Sequence, residues 1–273
     1  QDRIIQMALE EDLGPMDLTT EATVDPEKRG KAILLAREKL VLAGLPVFSR
    51  VFTFLTSEIE LEYYFEDGHL VPAGEKICLL SGPISAIMKA ERTALNFLQR
   101  MSGIATLTKV YVDKVGSEKA RVLDTRKTMP GLRVLDKYAV RMGGGFNHRF
   151  GLFDGILIKD NHIAASGSIA KAVALARENT PHTIKVEVEV EDQDGLVEAI
   201  QAGADVILLD NMTPDAIRKA VRLARGRVQL EASGGINLNT IEEIAQTGVD
   251  LISVGALTHS APAVDVSLEL VAE

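Results

Sequence analysis

The second half of the chain alternates short apolar runs with longer amphipathic segments. The apolar runs predict strands at 121–124, 155–160, 184–190, 205–210, 228–234 and 250–256. Apolar residues spaced by three and four predict helices between them at 168–179, 192–202, 214–225 and 239–247. Because alternating strands and helices form parallel β-α-β units, we predict an α/β domain over residues 106–262. We expect an incomplete (β/α) barrel with fewer than eight strands, and an open doubly wound sheet is the alternative.

The first part of the chain has a different pattern. Strand-like runs cover 31–42 and 59–65, and helical spacing covers 44–55 and 84–101. We therefore predict a separate N-terminal α+β domain over residues 1–105. The tail 263–273 alternates apolar and polar residues like a strand, and we expect it to return to this first domain.

Polar side chains stand at the carboxyl ends of the predicted strands, where parallel α/β folds place their active sites. They are Thr125, Arg126 and Lys127; Lys159, Asp160, Asn161 and His162; Asp210 and Asn211; and Glu231, Ser233, Gly234 and Gly235. Charge at a single strand end would be unremarkable. Charge at successive strand ends indicates a binding or catalytic site.

The predicted strand 184–190 carries valines on one face and charges on the other, because side chains alternate along a strand. The charged face holds Lys185, Glu187, Glu189 and Glu191. Since helices cover the outside of a barrel, we expect the carboxylates to point inward, where an unpaired charge is costly and persists only if it is paired or used. An edge strand with a solvated face is the alternative.

The charge distribution indicates an anion site. The net charge of −9 argues against general nucleic-acid binding, yet residues 121–162 carry +4. The candidate cations are Arg126, Lys127, His148, Arg149 and Lys159. Guanidinium groups bind carboxylates and phosphates through paired hydrogen bonds, and lysine supplies a point charge. A chance cluster on solvated helix faces is the alternative for Arg133, Lys137 and Arg141.

Two glycine-containing loops predict a phosphate site. Ser233, Gly234 and Gly235 precede a predicted helix, an arrangement whose backbone N–H groups favour an anion. Gly255 and Ala256 follow the next strand, and the last two strand-to-helix loops of such barrels often hold a phosphate. The pattern predicts a phosphorylated ligand without identifying it.

Other features bear on location and partners. No apolar run reaches the ~18 residues that span a bilayer, and the charged first residues do not resemble a signal peptide, so we expect no membrane partner and no nucleic-acid partner. Cys78 is the only cysteine, which favours a reducing, cytoplasmic location. His69, His182 and His259 lie in turn-like segments, and we assign them no role.

Several segments together resemble one family. They are AERTALNFLQRMSGIAT (90–106), LDTRKTMPGLRVLDKYAVRMGGGFNHRFGLFDGILIKDNH (123–162), KVEVEVED, VILLDNM, ASGGIN and ISVGALTHSAPAVDVSL. Over nearly the whole chain they resemble the quinolinate phosphoribosyltransferases, the decarboxylating enzymes of NAD biosynthesis. The resemblance implies phosphoribosyl transfer from phosphoribosyl pyrophosphate to quinolinate, with loss of pyrophosphate and CO2, to give nicotinate mononucleotide. It also implies Mg2+ as cofactor and a homodimer whose subunits share active sites.

The resemblance also implies roles for individual residues. Arg92 is expected to reach into the partner's site. Substrate binding is implied for Thr125, Arg126, His148, Arg149 and Lys159 around quinolinate, and for Ser233, Gly234, Gly235, Gly255 and Ala256 around the 5′-phosphate. Catalytic roles are implied for Lys127 beside the reacting centre, and for Glu189 and Asp210 at the ribose hydroxyls and the Mg2+ shell. Glu187 is the alternative to Glu189.

Three other functions remain open from the residues alone. Lys159 at a strand end would suit a Schiff-base aldolase. A phosphoribosyltransferase for another base, such as the molybdenum-transport-associated relatives, is a closer alternative, although Arg126, His148 and Arg149 favour a dicarboxylate. A phosphosugar-binding protein without catalysis is the third, and a turnover assay separates it from an enzyme.

Overall fold

The computed structural model describes residues 2–271. Its helices and strands are, in chain order, α1 (Asp2–Leu13), α2 (Leu18–Thr23), β1 (Arg29–Ala36), β2 (Leu40–Val41), α3 (Leu45–Leu55), β3 (Glu60–Tyr63), β4 (Leu70–Val71), β5 (Lys76–Pro83), α4 (Ile84–Val115), β6 (Arg121–Leu123), α5 (Arg133–Met142), β7 (Ile156–Ile158), α6 (Asp160–Ser166), α7 (Ile169–Glu178), β8 (Val186–Val190), α8 (Gln193–Gln201), β9 (Val206–Asp210), α9 (Pro214–Ala224), β10 (Gln229–Ser233), α10 (Ile241–Ala245), β11 (Leu251–Ser253), α11 (Ala256–His259) and β12 (Val266–Leu270).

The chain folds as two compact units. The first contains the described residues up to Lys109, the segment Met129–Gly144, and the described residues from Ser260 onward. The second consists of Val110–Thr128 and Gly145–His259. None of the described helices combines the length and the apolar character that a membrane crossing requires.

The first unit is built on an antiparallel sheet with the strand order β12-β1-β5-β3. The strand β1 alternates exposed and buried residues, and it buries Ala32, Leu34 and Ala36 completely. The tail strand β12 pairs along β1, from Ala32 opposite Leu270 to Ala36 opposite Val266. A second, two-stranded sheet joins β2 to β4.

Two predicted elements of the first unit have different bounds in the structure. The single strand expected at 31–42 is two strands, because three exposed charged residues, 37–39, bend the chain between β1 and β2. The helix expected at 84–101 continues to Val115 as α4. The helix includes Gly103. Glycine is required at this position because a Cβ there would overlap the carbonyl oxygen of Pro262.

The segment with Arg133, Lys137 and Arg141 forms α5, which belongs to the first unit. Of these three residues only Arg141 is exposed, whereas Lys137 is buried. The same helix buries Asp136, which accepts hydrogen bonds from Arg100 Nε at 3.0 Å and Arg100 Nη2 at 2.8 Å. The three basic residues of α5 therefore belong to the interior and surface of the first unit. The alternative of a chance cluster on a solvated helix face holds for Arg141 alone.

The second unit is a six-stranded parallel sheet with the order β6-β11-β10-β9-β8-β7. Consecutive strands from β7 to β11 are neighbours, and β6 lies beside β11. A doubly wound sheet reverses its strand order at a switch point, and this sheet has no such reversal among the described strands. The predicted incomplete barrel with fewer than eight strands is therefore confirmed, and its carboxyl strand ends lie at one edge.

Candidate active site

A cavity of about 820 Å³ opens at the carboxyl ends of the second unit's strands. The predicted site residues that line it are Thr125, Arg126, Lys127, His148, Arg149, Lys159, Glu189, Asp210, Ser233, Gly234, Gly235, Gly255 and Ala256. They come from loops and strands spread over more than 130 positions of sequence, and parallel pairing brings them to one edge. Arg92 is the exception, because it is exposed on α4 in the first unit and does not line this cavity.

The loop after β6 holds Lys127 through its backbone. The amide of Lys127 donates to Thr125 Oγ1 at 3.0 Å, and its carbonyl accepts from Thr258 Oγ1 at 2.8 Å. The side chain of Lys127 lies across Gly255, where an added Cβ would stand 3.0 Å from Lys127 Cδ. Gly255 is therefore needed for its lack of a side chain, which leaves room for the lysine.

Crowding of positive charge is visible at Arg149. Burial lowers the pKa of its guanidinium, and the charge of Arg126 lowers it further. The Nη1 atom donates to the carbonyl of Gly155 at 2.8 Å, which fixes the direction of the side chain. Two guanidinium groups near each other in a concave site are stabilised by an anion between them.

The acidic side of the cavity carries Glu189 and Asp210. Glu189 forms an ion pair with Lys159, and Asp210 Oδ2 accepts from Asn211 Nδ2 at 2.8 Å. Both carboxylates lie opposite cationic residues of the same cavity. Glu189 therefore lines the cavity, as expected, whereas Glu187 lies deeper and is absent from the lining.

The strand β8 has the alternation that the sequence predicts. Val186, Val188 and Val190 are buried on one face, and Glu187 is buried on the other with 7% of its surface exposed. Its Oε2 atom stands 3.1 Å from Nε2 of His148. The prediction that the carboxylates face the interior is confirmed for Glu187 and Glu189 but is wrong for Glu191, which is exposed beyond the end of β8. The edge-strand alternative is wrong because β8 lies between β7 and β9.

His148 is held on three sides by the protein. Its backbone amide donates to Asp124 Oδ1 at 2.8 Å, and its Nδ1 accepts from the amide of Arg149 at 2.7 Å. Its Nε2 faces Glu187 at 3.1 Å and Glu231 Oε1 at 3.6 Å. Both ring nitrogens are thus engaged by protein groups, and the expected contact of His148 with quinolinate stays a prediction.

The glycine-rich loop after β10 adopts a left-handed conformation, with φ of 90° at Gly234 and 62° at Gly235. A Cβ at Gly234 would stand 2.8 Å from the backbone nitrogen of Asn211, so only glycine fits between these two loops. The following helix is shorter than the predicted 239–247, because α10 runs only from Ile241 to Ala245. A turn over Asn237–Thr240, closed by the Thr240 hydroxyl, takes up the difference.

Sequence reasoning missed part of the lining. His259 was expected to lie in a turn without a role, yet it is the last residue of α11 and lines the cavity. Ser253 lines it too, at the end of β11, whereas Glu231, which lines the cavity from β10, stood among the polar residues expected at the strand ends. Their positions at or just after strand ends were the available signal. Conversely, His162 serves α6, since its Nδ1 accepts from the amide of Lys159 at 3.0 Å.

The chain is similar to known proteins over almost its full length. The sequence profile of the Quinolinate phosphoribosyl transferase C-terminal domain matches residues 104–269, and that of the N-terminal domain matches residues 17–102. The chain is 45% identical over 260 residues to the probable nicotinate-nucleotide pyrophosphorylase (carboxylating) of Bacillus subtilis (strain 168), covering 95% of this chain and 90% of that protein.

A plant protein and a solved structure give the same picture. The chain is 41% identical over 286 aligned positions to a mitochondrial quinolinate phosphoribosyltransferase (decarboxylating) of Nicotiana glauca, covering 98% of this chain and 81% of that one. The structure of the nicotinate-nucleotide pyrophosphorylase from Francisella tularensis matches with a TM-score of 0.96 at 45% identity, covering 98% of this chain and 95% of that one.

Proposed function

The chain belongs to the quinolinate phosphoribosyltransferase family, and from this premise we infer that it joins quinolinate to phosphoribosyl pyrophosphate. The products are nicotinate mononucleotide, pyrophosphate and CO2, so the enzyme is a pentosyltransferase of NAD biosynthesis. The observation that carries this function is a single cavity in which Arg126, Lys127, Arg149 and Lys159 meet Glu189 and Asp210. Both substrates are polyanions, and their charges repel unless a cationic cavity screens them.

We propose that the cationic wall binds quinolinate by its two carboxylates. Arg126 and Arg149 supply the paired hydrogen bonds that suit a carboxylate, and Lys159 supplies a point charge beside them. The lowered pKa of Arg149, caused by burial and by the charge of Arg126, supports this role, because a bound anion stabilises the charged guanidinium. Lys127, held at both ends of its backbone, faces the reacting centre and the departing pyrophosphate.

The opposite wall is proposed to serve the ribose. Positive charge develops on the anomeric carbon as the carbon–oxygen bond to pyrophosphate breaks, and Glu189 and Asp210 stabilise that charge. The loops of Ser233–Gly235 and Gly255–Ala256 are proposed to bind the 5′-phosphate, because their glycines let the backbone approach a ligand closely. The ring nitrogen of quinolinate attacks the anomeric carbon and becomes positively charged.

Mg2+ is proposed as the cofactor. Glu189 and Asp210 offer carboxylate oxygens, the donors that Mg2+ prefers, so the residues fit this ion. Each carboxylate also has a protein partner, Lys159 for Glu189 and Asn211 for Asp210, which would orient these oxygens toward a bound ion. When bound, the ion neutralises the charge that pyrophosphate gains on leaving.

A homodimer with shared active sites is also proposed. Arg92 is exposed on α4 and does not line the cavity of its own chain, which suits a residue that enters the partner's cavity. Leu152 and Phe153 are 70% and 80% exposed, as is typical of apolar side chains that a partner covers.

A reducing, cytoplasmic location is proposed from the lone thiol of Cys78, since burial raises its pKa to about 12 and keeps it unreactive.

The function is tested by mixing the protein with Mg2+, phosphoribosyl pyrophosphate and quinolinate and measuring nicotinate mononucleotide and pyrophosphate. We expect both products in equal amounts. A parallel reaction with nicotinate tests the choice of base, because nicotinate lacks one of the two carboxylates that the arginines bind. Faster turnover of nicotinate than of quinolinate would contradict the proposed substrate.

A further inference from the structure

The reaction leaves one requirement that the residues discussed so far do not meet. When CO2 leaves the pyridinium ring, the electron pair of the broken bond stays on the ring carbon next to nitrogen. That carbon must gain a proton before nicotinate mononucleotide is complete. The arginines of the cavity keep their protons near neutral pH, and the lysines are assigned to binding anions. A separate acid at the cavity is therefore needed.

We propose that Glu231 is the acid that protonates this ring carbon. The inference rests on the proposed function, and it adds a catalytic residue to the same cavity. Glu231 stands on β10, two positions before the phosphate loop at Ser233, and it lines the cavity although only 1% of the residue is exposed. A carboxyl in such a position meets ligand rather than bulk water.

The contacts of Glu231 leave one oxygen uncommitted. Among the described residues, its Oε1 is buried and has no hydrogen-bond partner, and it lies 3.6 Å from Nε2 of His148. A buried oxygen without a partner is costly in a structural role, where proteins normally satisfy such atoms. An oxygen that transfers a proton to a ligand needs to have no fixed hydrogen-bond acceptor, because a proton that already bonds to such an acceptor is less available for transfer.

Four polar groups act on Glu231. They are Asp124 beside β6, His148 in the loop that Asp124 holds, Glu187 on β8 and Ser253 on β11. Burial raises the pKa of Glu231 to about 7, and the charges of Glu187 and Asp124 raise it while His148 and the Ser253 hydroxyl oppose them. A proton is thus present on this carboxyl near neutral pH, as general acid catalysis requires.

The hydrogen bonds of His148 argue against the imidazole as the acid. Its Nδ1 accepts from the amide of Arg149, which assigns the ring proton to Nε2. That proton faces Glu187 Oε2 at 3.1 Å. The imidazole N–H is therefore directed at Glu187, and His148 is a positioning residue that lies near both carboxyl groups.

The proposed step balances as follows. The bond between the ring carbon and its carboxylate breaks, CO2 leaves, and the electron pair remains on carbon beside the positively charged nitrogen. The O–H bond of Glu231 breaks and a C–H bond forms, which leaves Glu231 as a carboxylate. Water returns a proton to Glu231 before the next turnover. Capture of the carbanion prevents CO2 from adding back to it.

Glu231→Gln tests the step, because glutamine keeps the shape and the neutral charge of the protonated acid but cannot give up a proton. We expect the variant to release pyrophosphate while the undecarboxylated dicarboxylate mononucleotide accumulates, detected by mass spectrometry of quenched reactions. The ratio of nicotinate mononucleotide to pyrophosphate in early turnovers should fall by about 10²-fold, the lower end of the contribution of a general acid. Glu231→Asp, which retains a carboxyl, should restore part of this ratio.

The matched control is Glu178→Gln, which makes the same change on an exposed residue at the end of α7 and should leave the ratio unchanged. A merely structural role for Glu231 would slow both steps together and keep the two products equal, which would overturn the proposal. If wild-type protein releases no pyrophosphate from these substrates, the proposed function itself fails, independently of Glu231.

A measurement on the wild-type protein covers the case in which Glu231→Gln does not fold. Glu231 loses its proton as the pH rises through about 7, so the share of undecarboxylated mononucleotide should increase with pH over that range. A product ratio that stays constant from about pH 6 to about pH 8 would contradict the role of Glu231.

Discussion

Each of the two units buries a cluster of charged residues, and the clusters differ in how completely their hydrogen bonds are satisfied. In the first unit, both oxygens of Asp136 are held by Arg100, and Oδ2 also accepts from the amide of Met129 at 3.1 Å. In the second unit, one oxygen each of Glu187 and Glu231 has no partner among the described residues. The cluster of the first unit, whose oxygens are all hydrogen-bonded, has the character of a structural element. The cluster of the second unit, which has oxygens without a partner, borders the cavity.

The difference in hydrogen bonding distinguishes a buried charge that supports the fold from one that is available for chemistry. Satisfaction of every oxygen lowers the cost of burial and makes the carboxylate unavailable to a ligand. Uncommitted oxygens raise that cost, and a fold retains them where a ligand or a proton occupies them during function. Each prediction below tests one side of this contrast.

The largest expected effect is on stability, in the first unit. Asp136→Ala removes the carboxylate that Arg100 and Met129 bind, so we expect the free energy of unfolding to fall by about 3–5 kcal/mol, as for other broken buried ion pairs. Urea denaturation followed by circular dichroism measures it. A loss below about 1 kcal/mol would show that the satisfied cluster is not structural.

Removal of one lysine of the cavity, Lys127, should act on activity instead. Lys127→Ala is expected to lower kcat/KM by about 10²–10³-fold, the usual effect of losing one charge-stabilising donor. Arg126→Ala should have a comparable effect. The melting temperature is the control, and it should stay near the wild-type value in both variants because Arg126 and Lys127 have exposed side chains. Wild-type turnover in either variant would exclude the proposed site.

The pH dependence of stability should identify Glu231. In the folded chain the pKa of Glu231 is raised to about 7, whereas the ordinary pKa of a glutamate is 4.5. Because the folded state binds more protons between these values, the stabilising contribution is complete below 4.5 and is lost as the pH rises through 7. The contribution is on the order of 3 kcal/mol.

Glu231→Gln should remove this part of the pH dependence, because glutamine does not titrate. Chemical denaturation of the variant and the wild type at several pH values gives the comparison. Equal slopes between about pH 5 and about pH 7 would mean that Glu231 is not held as a neutral acid.

The smallest effect concerns Arg92, which lies outside the cavity. If Arg92 completes the partner's site, Arg92→Ala and Lys127→Ala subunits should complement each other when exchanged in equal amounts. Half of the dimers are then mixed and each has one complete site, so about a quarter of wild-type activity should return. Activity no higher than the mean of the two separate variants would contradict a shared site.

Much of the fold follows from local patterns. The six strands and three longer helices of the second unit were predictable, because a buried strand face and a helix stripe leave periods of two and of three to four in the sequence. The inward carboxylates of β8 were predictable for the same reason. The family motifs added the expected roles of the cationic residues, and the incomplete barrel places nearly all of these residues around one cavity.

Other features depend on contacts between distant residues. α4 continues through Gly103 although glycine is a weak helix former. Glycine is needed at this position because the carbonyl group of Pro262 packs against it. α10 is short, and His259 lines the cavity, because the neighbouring loops turn tightly. The glycines of these loops pack directly against side chains of other elements. No local periodicity records such contacts, because they are made across elements that are far apart in the chain.

The sequence by itself determined the family, the order of the elements and the charges that face the cavity, since each of these is written in residue type and spacing. Only the tertiary structure decided which carboxylate lines the cavity, which lies beneath it and which retains an oxygen without a partner. Glu187, Glu189 and Glu231 are alike in sequence terms. Their depth and their neighbours differ, and burial together with neighbouring charge sets whether a carboxyl binds, supports or gives up a proton.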